Sequence, residues 1–167
     1  MTIKDIQEIY DYGHWADRKL LDAVAGLGPD EFTRSVAGSY GSIRNTLVHT
    51  ISAEWGWLER CGGPARGARL KPEDYPTFES VVELSRKVEG YARDLLSRLT
   101  DVDLTRVVEF SLVAPETYRM TVEQMLRHAA IHSVHHRGQA ALLTRMLGHS
   151  PGNFDALFYY AGNVAMR

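Results

Sequence analysis

Four long stretches of this sequence repeat apolar residues every three to four positions, and nothing else in it constrains the fold as strongly. Ile6, Ile9, Tyr10, Leu20, Leu21 and Val24 mark the first, and Leu47, Val48, Ile51, Trp55 and Leu58 the second. Val81, Val82, Leu84, Val88, Tyr91, Leu95 and Leu99 mark the third, while the fourth runs to Leu147. That spacing lays an apolar stripe along an α-helix, and such a stripe has to be buried. Helix signals bound each stretch. Gly26 to Pro29 stops the first helix, which starts at Ile3; Ser42 caps the second, Ile43 to about Arg60; Thr77 caps the third, Phe78 to Leu99. Thr121 with Gln124 three positions later has the form of a capping box, and Gly148 with Pro151 closes the fourth helix. Four amphipathic helices of this length enclose one core, so the sequence predicts an all-α four-helix bundle.

Two segments depart from the helical period. Arg106 to Leu112 is rich in β-branched residues, Pro115-Glu116 reads as a turn, and Thr117 to Met120 is extended again, which predicts a short β-hairpin before the fourth helix. A short C-terminal helix is expected from Phe154 to about Asn163. The longest connection runs from Cys61-Gly62-Gly63-Pro64 to Pro76, and its length and composition suit a mobile loop that could cover a cavity.

Composition narrows the function. A chain of 167 residues suits a single domain spanning 1–167. With 19 Lys and Arg against 21 Asp and Glu the net charge is -2, leaving no basic excess for nucleic acid. No apolar run approaches the roughly 18 residues of a membrane span, and the first residues do not resemble a secretory leader. The single cysteine, Cys61, cannot form an intramolecular disulfide, which suits the reducing cytoplasm. No glycine loop of the phosphate-binding kind is present.

The histidines are the residue type that composition does not explain: four of the seven fall between His128 and His136. Side chains four apart on a helix differ by about 40° in azimuth and one turn in height, so His132 and His136 can share one metal ion. His128 and His132 have the same spacing, and spacing alone does not choose between the pairs. His135 points about 100° away from His136. His49, mid-helix among Leu47, Val48 and Ile51, is the candidate third ligand. Three neutral imidazoles on an apolar wall leave coordination positions open, as catalytic sites do. His14 and His149 lack partner spacing and read as structural or solvent-facing. Trp55 and Trp57 face opposite ways, so at most one lines a cavity. Gly138 within a helix is expected to permit a close helix approach, and a buried Arg137 would need a carboxylate, for which Asp17 and Glu54 are candidates.

The residues after the histidine pair extend the pattern. His132-Ser133-Val134-His135-His136-Arg137-Gly138-Gln139 resembles the His-x-x-x-His-Arg-Gly-Gln signature of the DinB family, also called DinB/YfiT-like proteins. Trp15, the segment Gly41-Ser42-Ile43-Arg44-Asn45-Thr46-Leu47-Val48-His49, and the extended stretch from Val107 to Met120 resemble the family in the same order. The resemblance implies a DinB-type bundle and assigns the metal ligands as His49, His132 and His136, leaving His128 and His135 outside the set. It further implies one divalent ion, commonly nickel or zinc, and homodimerisation through the helices.

Such a centre supports two chemistries. A low-molecular-weight thiol can be activated to attack a small-molecule electrophile or promote an isomerisation, as in the bacillithiol-type S-transferases and mycothiol-dependent maleylpyruvate isomerases of the resembling family. Alternatively, activated water can serve a hydrolase. Ser133, Val134 and His135 separate the pair where a metalloprotease has a glutamate, which favours the thiol reading. A non-catalytic, dimeric metal-binding protein of the stress response is the further alternative. Cys61 is a less convincing internal thiol than a small cosubstrate.

Overall fold

The computed structural model of the chain describes residues 1–62, 69–112 and 115–165, the side chains of 163–165 excepted. Helix α1 spans Ile3–Val24, a short α2 spans Pro29–Thr33, and α3 spans Ile43–Gly62. A 3-10 turn at Pro72–Asp74 leads to α4, Phe78–Arg98, and a one-turn α5, Asp101–Leu104. Strands β1 (Val107–Phe110) and β2 (Tyr118–Thr121) precede α6, Val122–Met146, and α7, Ala156–Ala165. The four long helices form the expected bundle, with α3 packed against α6 and α4, and α1 against α6 and α4.

The caps were legible in advance. Thr77 accepts from the Ser80 amide, and Thr121 and Gln124 exchange a reciprocal capping box at 3.1 and 2.8 Å. Gly148 takes φ 88° at the end of α6, where a side chain would be strained. The antiparallel hairpin pairs Val107 with Thr121 and Phe110 with Tyr118. Thr121 thus both ends β2 and opens α6, so the hairpin sets where the histidine-bearing helix begins. The Arg106 guanidinium closes the end of α3 by donating to the Cys61 carbonyl.

Two apolar clusters fill the bundle. One gathers Ile6, Leu58, Val88, Met125 and Leu126; the other Leu20, Val24, Ile43, Val48 and Val81. Ile51 packs against both. Burying this surface, at roughly 25 cal/mol per Å² of apolar area, is the main favourable term for the fold. Gly62 permits a close approach: an added Cβ there would stand 2.9 Å from Leu95 Cδ1.

Three expectations are corrected. A Cβ added at Gly138 meets nothing within 4 Å among the described residues, so it does not serve a close approach between their helices. Cys61 is not a loop residue but is fully buried in the last turn of α3, and burial pushes its thiol up to about 12. A thiol in that state is no nucleophile. The C-terminal helix begins at Ala156 rather than Phe154, because Asn153 and Asp155 form side-chain turns with the amides two residues on. Among the described residues no helix is long and apolar enough to cross a membrane. Of the connection expected to cover a cavity, residues 63–68 lie outside the described residues.

Candidate metal centre

The site is built where α3 and α6 pack together. His49 lies one and a half turns into α3, and that helix starts where it does because the Ser42 hydroxyl accepts from the Asn45 amide at 3.1 Å. His132 and His136 project from α6 one turn apart. The structure brings all three together: His49 Nε2 stands 3.3 Å from His132 Nε2, and His136 Nε2 stands 3.1 Å from the same atom. One nitrogen of each ring lies within 4.8 Å of the other two, a grouping that can hold a metal ion. Two ligands bound at about 2.05 Å in a tetrahedral arrangement are separated by about 3.3 Å, so the donor set and its spacing fit such an ion.

The electrostatics agree. Burial, with the neighbouring imidazoles adding to it, pushes His49 and His132 down to about 4. Burial also lowers His136, against the opposing hydrogen bond of Gln139. All three rings are therefore neutral near pH 7, the protonation state a metal ligand needs. Gln139 Oε1 lies 2.6 Å from His136 Nδ1. A carbonyl oxygen can only accept, so Nδ1 carries the proton and the Nε2 lone pair faces the centre. The Nδ1 of His132 is buried without a hydrogen-bond partner among the described residues.

The loop before α3 completes the arrangement, and sequence reasoning missed its part. Gly38, Ser39 and Gly41 all have positive φ, at 105°, 47° and 83°. This turn carries Ser39 Oγ to 2.8 Å from Gln139 Oε1 and lays the Tyr40 ring on His49 with centroids 3.8 Å apart and planes 20° apart. The glycines bracketing Ser39-Tyr40 were the signal available for it.

The remaining histidines separate. His128 is exposed and packs edge-on against Trp57 at 4.6 Å, with its ring 5.9 Å from that of His132. His135 is exposed and contacts Gln139. His14 is bonded to Glu54 at 2.8 Å, and His149 lies 3.4 Å from Glu31. Arg137 is buried and takes Asp17, at 2.8 Å, as its carboxylate, with a second bond to the Gly13 carbonyl; Glu54 is occupied by His14. Of the two tryptophans, Trp57 lines the cavity beside the histidines. That cavity, of about 430 Å³, has His49 and His132 in its wall.

The fold and the site together describe a helical bundle carrying three convergent histidines on adjoining helices, a class of candidate metal-binding protein. The chain belongs to the DinB family, whose sequence model matches residues 1–164. It is 28% identical over 125 residues to the uncharacterized protein YizA of Bacillus subtilis (strain 168), covering 75% of this chain and 77% of that one. Among solved structures it is similar to a DinB-like protein from Bacillus cereus ATCC 10987, with TM-score 0.73 and 24% identity, covering 91% of this chain and 97% of the other. A DinB-like protein of Bacillus subtilis, YjoA, superposes with TM-score 0.64 at 14% identity, covering 87% of this chain and 95% of that chain.

Proposed function

We propose that the protein is a divalent-metal-dependent transferase or isomerase that uses a low-molecular-weight thiol, with His49, His132 and His136 as the metal ligands and nickel or zinc as the ion. The observation that carries this reading is the convergence of the three Nε2 atoms at 3.1 and 3.3 Å beside a cavity of substrate size. A divalent ion held there supplies Lewis acidity that makes a bound thiol acidic near neutral pH.

The chain's own residues prepare that chemistry. Burial keeps the imidazoles neutral, the Gln139 carbonyl orients His136, and the stacked Tyr40 ring holds the plane of His49. None of the described residues lining the cavity is a carboxylate. Thiol chemistry, in which coordination itself promotes deprotonation, suits such a wall better than a hydrolysis that relies on a carboxylate base. Cys61 is buried and far from ionising, so the thiol comes from a separate small molecule.

Metal analysis of protein purified without an affinity tag is expected to give about one ion per chain, lost in His49→Ala. Glutathione, bacillithiol and mycothiol are then assayed with a model electrophile. A metal-dependent rate that disappears in His132→Ala supports the transferase reading. Bound metal with no thiol-dependent rate, or with ester hydrolysis in its place, rejects it.

A further inference from the structure

The cavity beside the histidines is cationic in a chain whose net charge is -2. Arg60, near the end of α3, and Arg69, in the connection that follows, both line it. Neither guanidinium forms an ion pair with any described residue, and residues 63–68 and 113–114 contain no Asp or Glu. Arg60 is held from behind. One of its terminal N–H groups donates to the Gly56 carbonyl at 2.8 Å, and its guanidinium lies 5.2 Å from the Trp57 ring centre and 5.6 Å from that of Phe110. Its Nε is buried with no hydrogen-bond partner among the described residues.

Aromatic rings on Arg60 fix its direction without neutralising its charge. A half-buried guanidinium left without a carboxylate is costly, and two near one another more so. Burial first, then the charge of Arg69, lowers the pKa of Arg60, while Glu59 and Cys61 act on it in the opposite sense. A ligand anion removes that cost, and inside a concave wall the attraction is stronger than on open surface. His49 and His132 stand in the wall of the same cavity, so a molecule anchored by an anionic group at the arginines lies beside the histidine centre.

We propose that Arg60 and Arg69 form an anion-binding wall, and that the substrate or cosubstrate of this cavity is a small molecule carrying a carboxylate or a phosphate. The inference rests on reading the cavity as the substrate site of the three-histidine centre. Trp57, Leu70 and Pro72 supply apolar surface in the same wall. The anion selects and orients; neither arginine touches the reacting atoms in this assignment.

The test titrates succinate, inorganic phosphate and the uncharged succinamide by calorimetry into metal-loaded protein and into protein stripped with a chelator. The expected result is binding of one or both anions to both forms, no binding of succinamide, and a loss of about tenfold or more in affinity in Arg60→Gln and in Arg69→Gln, with Arg60→Lys intermediate. Which anion binds distinguishes a carboxylate from a phosphate ligand. Arg69 is exposed, so Arg69→Glu keeps the fold while reversing the charge, and it should abolish binding. Unchanged affinity in Arg69→Glu and in the double Gln variant overturns the inference, as does failure of both anions to bind. Loss of the metal reading shows separately: anion binding that persists in protein containing no metal at purification leaves the arginine wall standing and removes the ion.

Discussion

Gln139 Oε1 accepts from both His136 Nδ1, at 2.6 Å, and the Ser39 hydroxyl, at 2.8 Å, so one amide joins the loop before α3 to the histidine helix. The Gln of the His-Arg-Gly-Gln run therefore fixes the tautomer of His136, whose Nε2 stands beside that of His132. Replacing it with Leu leaves His136 free to adopt either tautomer. Gln139→Leu is expected to weaken metal binding about 10- to 100-fold, measured by competition with a chromophoric chelator, with little change in thermal stability. Unchanged affinity would show that the ring is oriented by its packing alone.

The Arg of the same run has a different task. Arg137 is only 3% exposed, and its ties to Asp17 and the Gly13 carbonyl fasten α6 to α1. Asp17→Ala strands a buried guanidinium and should cost about 3 kcal/mol in urea unfolding, near the lower end for buried pairs because Asp17 is a quarter exposed. The pair Asp17→Leu with Arg137→Met should recover most of that loss, because no unpaired charge remains.

His14 provides a pH-dependent contribution to stability. Burial alone would lower its pKa, but the hydrogen bond and charge of Glu54, aided by Asp17 and Glu89, raise it above 6.5. Tyr10 stacks edge-on against it, and Arg137 lies on the facing helix. A raised pKa means that the folded state holds the proton more tightly than the unfolded chain. The stabilisation is therefore complete below about 6.5 and is lost as pH rises through the folded value. Urea unfolding between about pH 6 and about pH 9 should show the wild type losing its advantage over Glu54→Gln as pH increases. A constant difference would assign the pair a purely packing role.

On α6, Ile131, Val134, Leu142 and Met146 are each more than half exposed, and they share one face with Gly138. An added Cβ at Gly138 meets nothing within 4 Å among the described residues. We propose that this face is where two copies associate as a homodimer, the glycine letting the partner approach. Leu142→Glu should turn the dimer into a monomer in light scattering while metal content stays unchanged. A monomeric wild type at micromolar concentration would refute the assignment.

Helix periods, capping boxes and the glycine after α6 were legible in the sequence because each depends on a few neighbouring residues. Thr121 and Gln124 satisfy each other's amides wherever the helix is placed, and His132 and His136 share a face on any α-helix. The choice of His136 over His128 as the partner of His132 came from the family likeness alone, since both pairs have equal spacing. Tertiary structure separated them physically: α3 brings His49 to within 3.3 Å of His132, while Trp57 on the same helix occupies the side of α6 where His128 stands. The carboxylate for Arg137, the burial of Cys61 and the convergence of Arg60 and Arg69 on one cavity were likewise decided only by packing. Each depends on contacts between residues distant in the chain or on which side of a helix faces solvent, and a local pattern carries neither. The sequence by itself determined the helices and the paired imidazoles, whereas the tertiary structure decided what those imidazoles face.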